Sequence, residues 1–367
     1  MTHWARLKNI PIFPMMIIVF IPFFALVIFY SINSGIFSMW CLRHVFRILG
    51  GIFVVLMTCL VKVSFWRKYA YHLYFMCLMM LVCVAIAGKI SMGAKRWLDL
   101  YFFNFQPSEL MRVLLIILLA KYFSIFSVED ARKTSILIPP IVFVVLPMIF
   151  VLMQPDLGTA MILFLVGISI FFVSGVQIWK FVVGLLGMAA AAPILWTMLH
   201  EYQKNRILMF FSPEMDPNGA GYHIIQSKIA LGSGGFWGKG LMNGTQCHLD
   251  FLPEKQTDFI FAALGEELGF VGCVGLILLY ILLLAYNLCV SLRVRDKFNQ
   301  ILVFGINSML FFYVFINISM VCGILPVVGI PLPFFSYGGS ALIVLMFCQG
   351  IIFAVDIEQR VNRYGFH

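Results

Sequence analysis

Charge is what this chain has least of. Only 11% of its 367 residues are Asp, Glu, Lys or Arg, while 62% are hydrophobic and the mean hydropathy is +1.00. An ordinary soluble domain carries about 25% charge, so a soluble globular protein is excluded and a polytopic membrane protein is implied. Signature motifs are missing as well. No P-loop GxxxxGK[ST], GxSxG elbow, HExxH pair or dinucleotide fingerprint in its strand context occurs, which argues against a nucleotide-driven pump, a serine hydrolase and a zinc protease. The nine cysteines (41, 59, 77, 83, 247, 273, 289, 322 and 348) are odd in number, fall mostly in apolar runs and show neither a CxxC pair nor ligand spacing. Cys41 and Cys247 fall on one side in the topology below, yet a disulfide between them is not expected.

Apolar runs long enough to cross roughly 30 Å of hydrocarbon, about 20 residues each, recur near 11–31, 45–64, 70–90, 107–125, 136–154, 157–174, 178–198, 264–290, 300–323 and 338–356. The fold class expected is therefore all-α, with about ten transmembrane helices. The first run follows Arg6 and Lys8 and ends at Tyr30-Ser31-Ile32-Asn33 without a small-residue cleavage site, so it is expected to be retained. With Arg6 and Lys8 in the cytosol, the cytosolic turns collect Lys62, Arg67, Lys68, Lys121, Arg132, Lys133, Lys180, Arg293, Arg295, Lys297, Arg360 and Arg363. Both termini are then cytosolic, as the positive-inside rule requires. Those 14 cations face five anions (Glu129, Asp130, Asp296, Asp356, Glu358), so this side holds the whole formal charge of +9. The charge is spread over short turns, as membrane orientation alone produces, and nucleic acid is not an expected partner. No repeat or low-complexity tract breaks the chain, so residues 1–367 read as one membrane domain.

Three polar segments share the external face: 91–106, 324–337, and a large loop of about 199–263 between the seventh and eighth spans. Eight of the 16 acidic residues lie in or just after that loop (Glu201, Glu214, Asp216, Asp250, Glu254, Asp258, Glu266, Glu267). Residues 223–231 read as a short interfacial helix ending at Gly232. Residues 323–339 are apolar but hold Pro326, Pro331 and Pro333, which forbid a regular helix. Such backbone either lines a cavity at membrane depth or forms a hydrophobic hairpin at the interface.

Asp258 stands where the polar loop meets Phe259-Ile260-Phe261. Partial desolvation there raises a carboxyl's proton affinity, which suits a general base; Thr257 or Asp258 opening the helix as its N-cap is the alternative, and the roles are compatible. Glu109 and Arg112 lie three apart on one helical face, either as a functional intramembrane pair or as a structural one. Asp156 either caps the sixth span or faces the external cavity. Lys95, Arg96 and Trp97 place cations in an external loop, where an anionic partner would explain them. Arg206, Lys228 and Lys239 extend that set towards phosphate, and Gly232-Ser233-Gly234-Gly235 offers backbone N–H groups to an anion; each taken singly also fits a snorkelling charge or a turn.

At these residues the sequence resembles the SEDS family (shape, elongation, division and sporulation proteins), and within it the RodA branch, with FtsW as the division-specific sibling. The carriers run through nearly the whole chain: Gly93-Ala94-Lys95-Arg96-Trp97-Leu98, Gln106-Pro107-Ser108-Glu109, Gln154-Pro155-Asp156-Leu157-Gly158-Thr159-Ala160, Gly221-Tyr222-His223-Ile224-Ile225-Gln226-Ser227, Gly232-Ser233-Gly234-Gly235, Leu252-Pro253-Glu254, Thr257-Asp258-Phe259-Ile260-Phe261, Glu266-Glu267-Leu268-Gly269, Pro331-Leu332-Pro333-Phe334 and Ser336-Tyr337-Gly338-Gly339-Ser340. Two positions depart from the pattern. Arg112 stands where the family usually has Lys, and Gln256 where it usually has His; the second removes a proton carrier beside Asp258.

The resemblance implies a peptidoglycan glycosyltransferase of the bacterial cytoplasmic membrane, which polymerises lipid II on the outer face during cell elongation and shape maintenance. It implies Asp258 as the catalytic base. It also places Ser227, Glu254 and Ser336 beside Lys95, Arg96, Trp97, Glu109, Arg112, Asp156, Arg206, Lys228 and Lys239 among the substrate-binding residues. A divalent cation (magnesium or manganese) is a candidate helper, with no nucleotide or organic cofactor. Lipid II, undecaprenyl-diphosphate-linked glycan and a class B penicillin-binding protein are the expected partners. The rival readings are a lipid II flippase and a non-catalytic scaffold for that penicillin-binding protein. A flippase needs a polar path to both faces, whereas the unusual polar segments here gather on one.

Overall fold

Helices form where the apolar runs lie, because only helices satisfy the backbone within one segment in a hydrocarbon environment. The structure is a computed structural model describing residues 6, 8–87, 89–91, 94–99, 104–198, 204, 208–210, 220–249, 251, 252 and 254–364, with backbone alone for the strands between 89 and 105 and a few helical positions. Ten long helices match the ten expected spans: α1 (Ile12–Ile32), α2 (Met39–Leu60), α3 (Val63–Ala87), α4 (Pro107–Ile125), α5 (Thr134–Met153), α6 (Leu157–Val173) and α7 (Ile178–Met198), then, after the shorter α8 (Ala220–Ser233) and α9 (Thr245–His248), α10 (Ile260–Arg293), α11 (Lys297–Val321) and α12 (Gly339–Tyr364). Six of them, α1, α2, α5, α10, α11 and α12, are each long and apolar enough to cross a membrane. The chain is a multi-pass membrane protein.

Two boundaries move from expectation. The second and third helices start six and seven residues earlier than the apolar runs at 45 and 70 suggest. Arg43, His44 and Arg47 in α2, and Arg67 and Lys68 in α3, interrupt the hydropathy but not the helix. The helical bundle also carries a small antiparallel sheet that the sequence reading does not contain: β1 (Lys89–Ser91), β2 (Ala94–Asp99) and β3 (Asn104–Phe105), with Lys89 opposite Trp97 and Leu98 opposite Phe105. β2 rests on α3 and α4.

α4 is the central post. Every residue from Met111 to Ala120 is buried, so this helix, apolar almost all round, packs on every side. α3, α6 and α11 surround it, while α12 lies along α2 and α10 along α11. Each of the nine cysteines is a free thiol.

The two ends of the bundle differ. At one end basic side chains close helix termini. Arg6 donates to the Cys59 and Val61 carbonyls at the end of α2, at 3.3 and 3.0 Å, and pairs with Glu358. Lys297 donates to the Phe126 carbonyl just past α4 at 2.6 Å, and Arg67 pairs with Asp296 at 3.2 Å. Cations on terminal carbonyls answer the negative end of the helix dipole. The opposite end gathers the sheet, α8, α9 and the two irregular segments 254–259 and 322–338.

Candidate functional site

The segment between α11 and α12 is irregular from Cys322 to Gly338, as its prolines require. Its backbone is satisfied by buried side chains. Asn317, fully buried on α11, donates to the Ile330 carbonyl at 2.7 Å; Tyr280 donates to the Pro333 carbonyl at 2.5 Å; Ser336 Oγ accepts from the Leu332 N–H at 2.7 Å. Buried side chains thus satisfy backbone groups that no helix could pair.

The same groups hold the loop that carries Asp258. Asn317 Nδ2 also donates to the Asp258 carbonyl at 3.0 Å, Ser336 Oγ donates to the Thr257 carbonyl at 2.6 Å, and the Tyr337 N–H donates to the Gln256 carbonyl at 2.9 Å. Glu254 begins the turn with φ 49, and its carboxylate takes the Thr257 hydroxyl at 2.8 Å. The half-buried Asp258 carboxylate has Oδ2 3.5 Å from where a Cβ on Gly329 would stand. Gly329 has φ 72, so the hairpin turns there and leaves room against the carboxylate. The N-cap of α10 is Phe259, which has no side-chain cap bond, so neither Thr257 nor Asp258 holds the capping position. Replacing Asn317 by Leu leaves the Ile330 and Asp258 carbonyls without their donor. We expect a loss of about 1–3 kcal/mol, read as a lowered melting temperature in detergent, together with lower activity from a displaced Asp258.

Lys228 lies close by. It is exposed on α8, and a Cβ on Gly323 would strike its Cε and come within 2.6 Å of Nζ, so the lysine stem crosses the root of the irregular segment. Ser227, one residue earlier, is fully buried; its hydroxyl faces the Val321 carbonyl at 2.9 Å and fastens α8 to α11. His223 stacks on Phe259 with centroids 5.9 Å apart.

A second set of charges lies between α4, α6 and α12. Asp156 is the N-cap of α6, accepting from Thr159 N at 3.1 Å and Thr159 Oγ1 at 2.8 Å, and it takes Gln106 Nε2 from the α4 entrance at 3.2 Å. Glu109 is buried, takes the hydroxyl of Ser340 and keeps Oε2 without a partner. Arg112 is held by the Ser108 carbonyl at 3.2 Å and by the face of Tyr313 at 5.1 Å rather than by a carboxylate contact. Glu109, Arg112 and Asp156 thus form a charged cluster in which attraction acts across space.

Lys239 is spent elsewhere. It pairs with the fully buried Glu266 at 2.7 Å and with Thr245 Oγ1 at 2.8 Å. Glu266 also takes Gln246 N at 2.9 Å and Cys247 N at 3.2 Å, and Glu267 takes Ser31 Oγ at 2.6 Å. Burial and the nearby Glu266 carboxylate push the Cys247 thiol up, so it stays protonated.

The glycine loop expected to cradle an anion packs instead. A Cβ on Gly234 would run into the Gly265 carbonyl, and one on Gly238 into the Glu267 carbonyl. The N–H groups of Gly238, Lys239 and Gly240 go to Gly234, Glu266 and Glu267, while Phe270 and Val271 donate back to Gly235 and Phe236. α10 is broken at Gly269 (φ 62, ψ −159) to receive this loop.

Arg206 lies outside the described residues, as do the side chains of Lys95, Arg96 and Trp97, whose backbone forms β2. Among the described residues no group of three or more His, Cys, Asp or Glu gathers as a metal cage.

The family profile for FtsW, RodA and SpoVE, described as cell cycle protein, matches residues 8–361. The chain is 41% identical over 362 residues to the peptidoglycan glycosyltransferase MrdB of Escherichia coli (strain K12), covering 98% of this chain and 96% of that protein. It is 36% identical to a probable peptidoglycan glycosyltransferase FtsW of Haemophilus influenzae, over 84% of this chain and 80% of the other. One structural neighbour, from work on coordination of polymerization and crosslinking by a peptidoglycan synthase complex, superposes with a TM-score of 0.83 at 28% identity, over 95% of this chain and 98% of its own. The rod shape determining protein RodA of Thermus thermophilus gives a TM-score of 0.71 at 26% identity, over 97% and 98%.

Proposed function

Since the chain belongs to the FtsW, RodA and SpoVE family of cell cycle proteins, the SEDS family, we propose that it is a peptidoglycan glycosyltransferase that polymerises lipid II on the outer face of the bacterial cytoplasmic membrane. The observation that carries this reading is Asp258: a half-buried carboxylate held by its backbone between two irregular segments, with glycine opposite it and Lys228 at the root of the same hairpin. The basic turns at the far end of the bundle support the orientation.

In the reaction, the 4-hydroxyl of the acceptor's N-acetylglucosamine attacks the anomeric carbon of the donor strand. Asp258 takes the hydroxyl proton as the new C–O bond forms. The bond from that carbon to the diphosphate oxygen breaks, undecaprenyl diphosphate leaves with the electron pair, and the α-linked donor becomes a β-linked product by inversion. Cationic side chains stabilise the departing charge; the candidates are Lys228, whose stem lies against Gly323 at the start of the irregular segment, and Lys95, Arg96 and Arg206, whereas Lys239 pairs with Glu266. Ser336 and Glu254 shape the Asp258 loop, and Ser227 seats α8. The buried Glu109, Arg112 and Asp156 lie at the α4 and α6 entrances, where they would meet polar groups of the substrate. No step is routed through a divalent cation. A class B penicillin-binding protein would crosslink the strand as it emerges.

The test uses purified protein with labelled lipid II, with and without divalent cation and the crosslinking partner. Lengthening glycan from the wild type supports the reading. No polymer under any of these conditions, together with lipid II crossing vesicle membranes, replaces it with the flippase.

A further inference from the structure

Arg47 has no part in the reading above. It stands eight residues into α2 from Met39, about 12 Å along the axis at 1.5 Å per residue. A guanidinium at that depth calls for a counter-charge or a polar cavity. Its Cζ lies 4.2 Å over the Tyr337 ring, and Nη1 is buried without a hydrogen-bond partner. Among the described residues no carboxylate is within ion-pair distance of it.

The position of the fork says what is missing. Nη2, Cζ and Nε lie 3.2, 3.3 and 3.3 Å from where a Cβ on Gly339 would stand. Gly339 opens α12, whose first N–H groups form the positive end of the helix dipole. A cation against a helix N-terminus is repelled by it, so the two belong together only around a shared anion. The fork and the N–H groups that open a helix suit phosphate oxygens, which guanidinium binds in bidentate fashion. Tyr337, the ring under Arg47, donates its N–H to Gln256 in the Asp258 loop, so this place adjoins the reaction centre.

We propose that Arg47 and the first turn of α12 bind a phosphate group of the prenyl-diphosphate substrate, an inference that rests on the polymerase reading. Arg47 is then a substrate-binding residue that holds the phosphate end of the lipid-linked sugar while Asp258 acts at the sugar.

The test titrates purified full-length protein with undecaprenyl diphosphate, undecaprenol and phosphatidylglycerol, for wild type, Arg47→Gln and Arg47→Lys. Loss of one charge-assisted contact is expected to weaken undecaprenyl diphosphate binding about tenfold or more in Arg47→Gln, with undecaprenol binding unchanged. In glycan synthesis the same variant is expected to raise KM far more than it lowers kcat, which a merely structural role would not do. Equal diphosphate affinity in wild type and Arg47→Gln overturns the proposal. So does a loss confined to phosphatidylglycerol, which would assign the site to a membrane headgroup. If the Gln variant does not fold, Arg47→Lys carries the test, because it keeps the charge and loses the fork: diphosphate affinity equal to wild type overturns the bidentate site. Should wild type make no glycan, the polymerase reading falls, and the titration still decides whether Arg47 binds diphosphate.

Discussion

Asp258→Asn is expected to lower glycan synthesis from lipid II by about 100- to 10,000-fold, the usual worth of a positioned general base, while the protein folds and inserts normally. Asparagine keeps the shape of the side chain and cannot take the acceptor's proton. Three contacts that hold this position use the backbone: Asn317 binds the Asp258 carbonyl, Ser336 the Thr257 carbonyl and Tyr337 the Gln256 carbonyl. None of these depends on the carboxylate. Rates would be compared for variants with matching melting temperatures. A wild-type rate in Asp258→Asn would remove the base from the mechanism, and with it the reason for the loop's rigid clamping. With Gln at position 256, no imidazole stands two residues before Asp258 to substitute for the lost base.

The helices were legible because a hydrocarbon surrounding leaves the backbone one local solution. Apolar length located the ten long helices among the described residues, and the positive-inside rule grouped the basic turns that the structure brings to one end. Errors arose where charge lies inside a helix. Arg43 and His44 lie before the apolar run that starts at 45, yet they sit within α2. The small sheet at 89–105 was missed because its strands are three, six and two residues long, too short for a period-2 pattern to stand out.

The site was legible in part. Proline spacing fixed the irregular segment after α11, and Asp156 capping α6 follows from a carboxylate just before an apolar run. What sequence could not supply was pairing across the fold. Asn317 lies near the end of an apolar helix, and only the folded chain shows that it supports both irregular segments at once. Gly232-Ser233-Gly234-Gly235 read as an anion cradle, since composition does not tell a nest from a close backbone approach; the Gly265 carbonyl standing against Gly234 shows a close approach there. Lys239 was grouped with phosphate ligands for its charge alone, and its true partner, Glu266, is 27 residues away in sequence.

That pairing leads to the second large effect. Glu266 is fully buried and accepts from Lys239 Nζ, Thr245 Oγ1, Gln246 N and Cys247 N, so one carboxylate ties the glycine loop and α9 to the broken turn of α10. Glu266→Ala removes every one of these acceptors together. Breaking a buried charged pair on one side costs about 3–5 kcal/mol, and the lower end is expected here because Lys239 is 26% exposed and can draw water. Glu266→Gln keeps one acceptor oxygen, sets an NH2 against the donors of the other and loses the charge facing Lys239, so its melting temperature should fall between those of Ala and wild type. Residues 232–249 should become sensitive to protease in the Ala variant before the rest of the chain unfolds. The contrast with Asp258 separates the two acidic sites. Glu266→Ala should regain much of its glycan synthesis as the assay is cooled, because it weakens the scaffold, whereas Asp258→Asn should remain inactive at every temperature, because it removes the proton acceptor. Equal stability of Glu266→Ala and wild type would mean that the loop is held by its backbone bonds to Gly234, Glu266 and Glu267 alone.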